Sequence, residues 1–333
     1  MIYPNNINKN CLIGVTATST GITKKHDIER FNLAKENLLS LGYKVLVTNN
    51  VFTNSKFVSS SGLVRANEFL ELWKNNGVMA ISQVRGGEFL MEMIPYIDDN
   101  IIRQNNPKWV FGYSDSSLLN FYITTKYDIA TINSPNFFEF AINPNSQSLE
   151  YLFNTLKNNE IEEKSFLYYE KNKSNNRFKY NLDTKVKYKS LYNNSKVIQG
   201  RLIGGCLEAI SEIIGTKYDF VKEFIKRYPE GFIWYLDIYN SNPLELNRLL
   251  FQMKEALWFK NINGILIGRT NSKKRISDLT YKDVLHKIFD DMNIPVFYDI
   301  DIGHTKPQLS IINGSLGTFY YQNGKGILKQ IKK

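Results

Sequence analysis

Ser114 is the residue of this 333-residue chain that is best placed to act as a nucleophile. It follows an apolar run at 109–111 and precedes apolar residues at helical spacing, so it lies on a predicted strand-to-helix turn. Gly112 and Ser116, two residues to either side, are small, as a tight turn that raises a serine hydroxyl above a sheet requires. Because Ser116 stands where a second glycine is usual, the same residues are also typical of a turn in which Ser114 or Asp115 only caps a helix.

A base and an acid for such a serine occur later in the chain. His304 follows a predicted strand in a Gly-His-Thr loop, whereas His26 and His286 lie in polar helical surroundings that indicate solvated side chains. Asp237 closes the apolar run 232–238. A carboxylate there either caps a turn or orients a histidine. The order serine, acid, histidine is that of α/β-hydrolases, although chain order alone does not fix geometry.

The elements that would position these residues alternate between strand and helix. Apolar runs predict strands at 11–18, 43–48, 77–82 and 109–111, and the patterns between them are helical, including a helix after residue 88 that reaches about residue 97. Such alternation predicts an α/β fold with a doubly wound parallel sheet. Ligands of these sheets bind at the carboxyl ends of the strands, where Ser114 and the turn Arg85-Gly86-Gly87 both lie.

Composition changes divide the chain into three parts. We predict an α/β domain over 1–155, a polar connecting segment over 156–196, and a second domain over 197–333 that carries the acid and the histidine. Lys, Asn and Glu dominate 156–190, but aromatic residues are interleaved among them. This segment is either a linker with a few anchoring aromatics or a loop that crosses to the site and stacks on a planar ligand group. Its aromatic residues are Phe166, Tyr168, Tyr169, Phe178, Tyr180 and Tyr188.

Overall composition argues against several classes of protein. Apolar residues make up 43% and charged residues 22%, as in ordinary globular proteins. The net charge of +10 comes from scattered residues and accompanies no nucleic-acid-binding motif. We find no apolar run long enough for a membrane span and no signal peptide. Cys11 and Cys206 are far apart and have no metal-ligand spacing, which favours a reduced, cytoplasmic setting.

Five short motifs together resemble the LD-carboxypeptidase family of serine peptidases, which includes the muropeptide LD-carboxypeptidases and the microcin C immunity proteins. The resemblance runs from the strand at Gly14 to about Gly314, and the long segment before Gly200 is closer to the immunity (MccF-like) branch. The motifs, in chain order, are Arg85-Gly86-Gly87, Gly112-Tyr113-Ser114-Asp115, Gly204-Gly205, the acid at the end of a strand, and Gly303-His304.

This resemblance implies a role for each residue of the site. Ser114 would be the nucleophile, His304 the general base, and Asp237 would stand at the glutamate position of the family. The backbone amides of Gly87 and Asp115 would form the oxyanion hole. Substrate contacts would come from Arg85, Gly86, Gly205 and Cys206. The family fold pairs an α/β domain with a smaller, β-rich α/β C-terminal domain, and its members are usually homodimers that need no metal or cofactor.

Two positions depart from the family pattern. Aspartate replaces glutamate at 237, which shortens the side chain by one C–C bond, about 1.5 Å. A displacement of that size can lower a rate ~100-fold, and Asp299 and Asp301 are alternative acids nearby. Cys206 stands where asparagine is usual, which puts substrate contacts there in doubt, and a lone cysteine is more typical of packing than of chemistry.

The sequence therefore predicts a serine carboxypeptidase-like hydrolase with a Ser-His-acid triad. Its substrate would be a small peptide or muropeptide cleaved at an amide near a free carboxylate, or a peptidyl-nucleotide antibiotic cleaved at an acyl-phosphoramidate-type bond. The main alternative is a non-catalytic ligand-binding protein on the same scaffold, in which Asp237 and Cys206 would be signs of decayed catalytic activity. An esterase of the α/β-hydrolase type is a further alternative. No nucleic acid or membrane partner is expected.

Overall fold

Two sheets, one for each half of the chain, position the candidate site. The computed structural model describes residues 1–142, 146–176, 178–192, 197–270 and 272–333. Parts of the predicted connecting segment 156–196, namely 177 and 193–196, therefore lie outside the described residues. In chain order the α-helices of the described residues, α1 to α9, are Lys25–Ser40, Gly62–Lys74, Asp99–Gln104, Ser116–Tyr127, Gln147–Lys157, Leu207–Ile210, Val221–Arg227, Pro243–Glu255 and Tyr281–Phe289.

The strands are numbered β1 to β18 in the same way, and short 3₁₀ helices lie among them. The strands are Leu12–Thr16, Lys44–Val47, Val78–Gln83, Trp109–Gly112, Thr131–Asn133, Glu160–Lys164, Tyr168–Tyr169, Thr184–Lys185, Lys189–Ser190, Val197–Cys206, Phe232–Asp237, Ile262–Gly268, Arg275–Ile276, Leu279–Thr280, Val296–Ile300, Ile311–Asn313, Leu316–Gln322 and Lys325–Ile331. The 3₁₀ helices are Asn49–Phe52, Leu90–Tyr96, Phe137–Ala141, Ser211–Ile213 and Asp290–Met292.

The first sheet is the predicted parallel sheet with one addition from the other end of the chain. Its six strands lie in the order β16-β5-β4-β3-β1-β2. The five strands from the N-terminal half pair in parallel, and β16 pairs with β5 in antiparallel orientation. The residues of β4 are all buried, as expected for a parallel strand whose two faces are covered by helices. The predicted α/β fold with a parallel N-terminal sheet is confirmed.

The second sheet has a parallel centre and antiparallel flanks. Its order is β6-β18-β17-β10-β11-β12-β15-β9, with β10, β11, β12 and β15 parallel to one another. The C-terminal half is thus a second, β-rich α/β unit, as predicted. Both edge strands, β6 and β9, come from the predicted connecting segment. That segment is therefore built into the sheet rather than being a simple linker.

The aromatic residues of the connecting segment have different positions. Phe166 and Tyr188 are buried in the core of the second sheet, and the Tyr188 hydroxyl donates a hydrogen bond to Asp301 at 2.7 Å. Tyr168 and Phe178 are more than a third exposed. Burial raises the pKa of Tyr180 well above its usual value, and the charges of Glu139 and Arg30 also act on it. Phe166 and Tyr188 thus anchor the segment, and Tyr180 lies near Glu139, a residue that lines the candidate site.

A helix forms up to about residue 97 as predicted, but it is a 3₁₀ helix and not an α-helix. The chain forms the 3₁₀ helix Leu90–Tyr96 there, and this element contains Pro95. Proline has no N–H to donate and clashes with the preceding turn, so an α-helix cannot continue through it. Other boundary signals were predicted correctly: Gly42 follows the end of α1 at a φ of +89°, and Pro243 is the first residue of α8. In the described ranges, we find no helix with the length and apolar character needed to cross a bilayer.

Glu163 of β6 is a buried carboxyl group that should make stability depend on pH. It accepts hydrogen bonds from the Ser310 amide at 2.8 Å and the Thr155 hydroxyl at 3.2 Å. Burial raises its pKa from 4.5 to about 8. Between these two pKa values the folded protein keeps a proton that the unfolded chain releases. The contribution of Glu163 to the free energy of unfolding is therefore complete below pH ~4.5 and is lost as the pH rises through ~8.

We therefore expect Glu163→Gln to flatten the pH dependence of thermal unfolding. The melting temperature of the wild type should fall between pH 5 and pH 9 by several degrees more than that of the variant. Circular dichroism melts at both pH values measure this difference. Glu160→Gln, an exposed residue of the same strand, is the matched control and should behave as the wild type. Identical pH profiles for wild type and Glu163→Gln would contradict the prediction.

Candidate active site

Ser114 lies on a strained turn between β4 and α4. β4 ends at Gly112 and α4 begins at Ser116. Ser114 has a φ of +67°, in the left-handed region that costs a non-glycine residue about 1–2 kcal/mol. Gly86 packs directly on this turn, since a Cβ at Gly86 would lie 2.7 Å from Ser114 Oγ. This geometry is that of a nucleophile elbow, and a glycine at 86 is needed because the serine occupies the space of a side chain.

Three side chains are joined by short contacts at this turn. His304 Nε2 lies 2.9 Å from Ser114 Oγ. On the other side of the ring, His304 Nδ1 lies 2.8 Å from Asp237 Oδ2. Asp237 is fully buried at the end of β11, whereas His304 is 17% exposed. The structure thus brings together the serine, histidine and acid that the sequence singled out from three distant places.

The short side chain of Asp237 reaches the imidazole because the histidine loop packs directly on it. Gly303 has a φ of +82°, and a Cβ there would lie only 1.8 Å from the Asp237 carboxylate. The His304 amide also donates a hydrogen bond to Asp237 Oδ1 at 3.2 Å. The backbone of the histidine loop therefore lies close to the acid, which leaves Asp237 Oδ2 2.8 Å from His304 Nδ1.

The two alternative acids have other partners. Asp301 is buried in an ion pair with Arg269 at 2.9 Å. Asp299 lies 2.6 Å from the Lys274 ammonium and 2.9 Å from that of Lys189. Neither is hydrogen-bonded to His304 in the described part of the chain, so the expectation that one of them might replace Asp237 is not supported.

Two aromatic rings hold the imidazole of His304. Tyr113 meets it edge-on with ring centres 5.0 Å apart, and Tyr239 lies over it at 4.4 Å with an interplanar angle of 38°. Tyr239 is 45% exposed, so it lies between the imidazole and solvent. Glu208 fixes the loop that carries Tyr239, because its carboxylate accepts from the amides of Tyr239, Asn240 and Ser241.

The amides of Gly87 and Asp115 are both adjacent to the serine turn. Among the described residues, neither donates a hydrogen bond to a backbone carbonyl, which leaves both available to a ligand. The Asp115 side chain anchors this region, since it accepts hydrogen bonds from the Ser19 hydroxyl and from the Leu90 amide at 3.0 Å. Burial raises the pKa of Asp115 to about 6.

Ser114 and His304 open into a cavity of about 400 Å³ that is lined by groups of both charges. Arg30 and Arg85 form its basic wall, and their guanidinium groups lie 5.1 and 5.7 Å from the centre of the Phe138 ring. Four glutamates also line the cavity. The predicted residues Arg85, Gly86, Gly87, Asp115 and Cys206 all line the cavity. Gly205 does not, because it packs against Ser117 of α4. The four glutamates are Glu88, Glu139, Glu208 and Glu212.

Cys206, Asp237 and His304 offer three atoms of metal-binding type within 4.8 Å of one another. However, Asp237 Oδ2 and His304 Nδ1 already face each other at 2.8 Å. Burial, followed by the charges of Asp237 and Glu208, raises the pKa of the Cys206 thiol well above its usual value. Because metals bind the thiolate, these surroundings disfavour a metal site. Cys206 is better explained as a small, buried, neutral residue.

Several residues of the cavity were not predicted from the sequence. Phe57, 73% exposed, lies at the cavity on a turn in which Lys56 and Phe57 both have positive φ. Phe138 and Tyr239 do not belong to any of the sequence motifs described above. Only Tyr239 had a usable signal, because it follows the strand-ending Asp237 by two residues and so must lie at the same sheet edge.

Comparison with known families shows which family the chain belongs to. A model of the LD-carboxypeptidase N-terminal domain matches residues 13–134, and a model of the LD-carboxypeptidase C-terminal domain matches residues 199–319. The chain belongs to the LD-carboxypeptidase family. The two matches contain all three members of the Ser114–His304–Asp237 chain, with the serine in the first and the acid and histidine in the second.

The proteins similar to this chain include an immunity protein. The microcin C7 self-immunity protein MccF of Escherichia coli is 27% identical over 299 residues, covering 85% of this chain and 83% of its own. A structure of MccF in complex with glutamyl sulfamoyl guanosine superposes with a TM-score of 0.85 at 22% identity, covering 99% of this chain and 98% of that one. An MccF-like protein from Bacillus anthracis gives 0.83 at 23% identity over the full length of both. The structural likenesses show a shared fold.

Proposed function

We propose that this LD-carboxypeptidase family member is a serine hydrolase with Ser114 as nucleophile, His304 as general base and Asp237 as the orienting acid. The observation that carries the proposal is the continuous chain of short contacts at the cavity, in which Asp237 Oδ2 lies 2.8 Å from His304 Nδ1 and His304 Nε2 is hydrogen-bonded to Ser114 Oγ at 2.9 Å. A serine hydroxyl is a weak nucleophile at neutral pH and needs a base within hydrogen-bond reach. A buried carboxylate on the other ring nitrogen fixes the tautomer of that base and stabilises the imidazolium.

The reaction would proceed through an acyl-enzyme. Ser114 Oγ attacks the carbonyl carbon of the substrate while its proton passes to His304 Nε2. The amides of Gly87 and Asp115 donate to the oxyanion that forms, and each such donor is typically worth ~3 kcal/mol in the transition state. His304 then gives its proton to the leaving nitrogen, and the C–N bond breaks. Water then attacks the carbonyl carbon of the acyl-enzyme and passes a proton to His304, the bond to Ser114 Oγ breaks, and His304 returns the proton to Oγ as the acid is released.

The basic wall of the cavity supports a substrate with a free carboxylate near the scissile amide. Arginine binds carboxylates in a planar, two-point geometry. Arg85 is 41% exposed in its side chain, and its ion pair with Asp27 in the described part of the chain is long, at 3.5 Å, so its guanidinium group is available to a ligand. A small peptide, a muropeptide or an aminoacyl nucleotide would each bring a group that fits this wall. Phe57 and Phe138 add aromatic surface at the cavity, at which a planar group could stack.

We expect Arg85→Ala to raise KM about tenfold for a substrate with a free carboxylate, with little change in kcat. The same substrate with its carboxylate converted to an amide should show almost no difference between wild type and variant. Steady-state kinetics on the two substrates measure the effect. Arg103→Ala is a matched control, because Arg103 also lies over an aromatic ring, that of Tyr127, but away from the cavity. An equal loss on both substrates would contradict carboxylate recognition.

The choice of substrate and the choice between enzyme and binding protein need separate assays. An L,D-tetrapeptide and an aminoacyl-sulfamoyl adenosine should be offered to the wild type side by side. Turnover of the peptide alone would rule out the immunity-type activity. Binding of either compound without turnover, and without labelling by an active-site serine probe, would favour the non-catalytic alternative. The homodimer and the cytoplasmic setting implied by the resemblance stay predictions.

A further inference from the structure

A lysine is buried behind the proposed nucleophile and base. Lys306 is 8% exposed, and burial lowers the pKa of its ammonium group. Its Nζ lies 3.6 Å from Oε1 of Glu139 and 3.7 Å from the centre of the Tyr113 ring. It also lies 3.5 Å from the Gly303 carbonyl oxygen. Burying an ammonium group is unfavourable unless partners replace its water, so these contacts hold the side chain in one position.

The contacts of Lys306 join the two halves of the chain. Lys306 follows His304 by two residues in the C-terminal half, whereas Glu139 belongs to the 3₁₀ helix Phe137–Ala141 of the N-terminal half. The Tyr113 hydroxyl donates to the same Glu139 oxygen at 3.0 Å. Tyr113 immediately precedes Ser114, and its ring also contacts the His304 imidazole. The lysine, glutamate and tyrosine therefore form one buried cluster in contact with both the elbow and the histidine loop.

The geometry of this cluster matters because the nucleophile and the base come from different sheets. Their 2.9 Å contact depends on how the histidine loop sits against the elbow. A misplacement of about 1 Å in such a contact can lower a rate ~100-fold. The charged groups that face the Lys306 ammonium are Glu139 of the 3₁₀ helix, Asp237 of β11 and Arg30 of α1.

We propose that Lys306 is a positioning residue: through Glu139 and Tyr113 it fixes the histidine loop on the elbow and so sets the contact between His304 and Ser114. The catalytic part of this inference rests on the proposed hydrolase function. The electrostatic part does not, because a change of charge at Lys306 or Glu139 can be tested at the His304 imidazole whether or not a substrate is turned over.

Lys306→Met should lower kcat about 10- to 100-fold and leave KM within about twofold, because the residue lies behind the cavity and does not line it. Lys332→Met is the matched control. Lys332 is also a largely covered lysine, with Nζ 4.6 Å from the centre of the Trp109 ring, but it is remote from Ser114. It should keep the wild-type kcat.

A titration of the histidines gives a readout that a merely structural role would not move. The chain has three histidines, so their ring resonances can be followed by NMR and that of His304 identified by its loss in His304→Gln. Lys306→Met leaves the Glu139 carboxylate without its cation, which favours the imidazolium, and the midpoint of the His304 titration should rise by roughly half a pH unit or more. Glu139→Gln leaves the cation alone, and the midpoint should fall by a similar amount.

The double variant Lys306→Met/Glu139→Gln covers the case in which a single variant does not fold, because it leaves no unpaired buried charge. Its His304 midpoint should lie near that of the wild type, while kcat stays reduced. Midpoints that do not move, or that move in the same direction in both single variants, would overturn the inference, as would wild-type kcat in the double variant. A wild type without hydrolase activity would instead refute the proposed function, and the NMR titration would still test the placement of Lys306.

Discussion

Replacing Ser114 by alanine is expected to lower kcat about 10⁴- to 10⁶-fold while KM changes little. The variant loses the only atom that forms the acyl-enzyme, whereas the cavity walls that would bind the substrate stay intact. Steady-state kinetics on the substrate identified for the wild type measure the loss. An active-site serine probe should label the wild type and fail to label the variant.

Ser116→Ala is the matched control for this prediction. Ser116 lies two residues further on at the first turn of α4, is fully buried, and has a hydroxyl without a hydrogen-bond partner among the described residues. Removing that hydroxyl should leave kcat close to the wild-type value. Substantial turnover by Ser114→Ala would show that another group attacks the substrate, and equal losses in both variants would point to a damaged elbow rather than a lost nucleophile.

The sequence predicted most of the elements around this serine because each has a local cause. The parallel strands of the first sheet are continuous apolar runs, and short sequence signals mark their boundaries. The elbow was visible because its backbone strain demands small residues at fixed positions, Gly112 and Ser116. The identity of His304 followed from the scarcity of histidines and from its place after a strand.

What the sequence could not predict depends on contacts between distant segments. Residues 311–313 of the C-terminal half form β16, which pairs with β5 and extends the first sheet. Nothing in the sequence of this short strand specifies β5 as its partner. Lys306 has the local pattern of an exposed, solvated lysine, yet it is buried because Glu139 and Tyr113 surround it. Local periodicity carries no information on such pairings, since they are fixed only when the two halves pack together.

Asp237 shows why a prediction from a single residue can be wrong when a residue far along the chain offsets its shorter side chain. Considered alone, the shorter side chain predicts a gap of about 1.5 Å between acid and imidazole. In the structure the Oδ2–Nδ1 distance is 2.8 Å, because Gly303 allows the histidine loop to rest on the carboxylate. The acid and the glycine are 66 positions apart in the chain (303 − 237), and from their joint placement we infer that the site is adapted to aspartate.

This adaptation gives the second large prediction, a graded loss of activity at position 237. Asp237→Asn should lower kcat about 10⁴-fold, because an amide no longer fixes the tautomer of His304 or stabilises its charged form. Asp237→Glu should lower it ~100-fold rather than raise it, since the added methylene has no room beneath Gly303 and displaces the imidazole. Kinetics of both variants against the wild type test the order of these losses.

Asp299→Asn is the control that separates position 237 from acids in general. Asp299 was a candidate for the same role, but its partners are Lys189 and Lys274, so its loss should leave kcat within about twofold of the wild type.

If Asp237→Glu were instead more active than the wild type, the aspartate would be a defect that the histidine loop does not offset. The site would then be a weakened form of the family arrangement, and the binding-protein alternative would gain support. A loss in Asp237→Glu that falls between those of wild type and Asp237→Asn would show that the loop at Gly303 and the short acid function as one fitted pair.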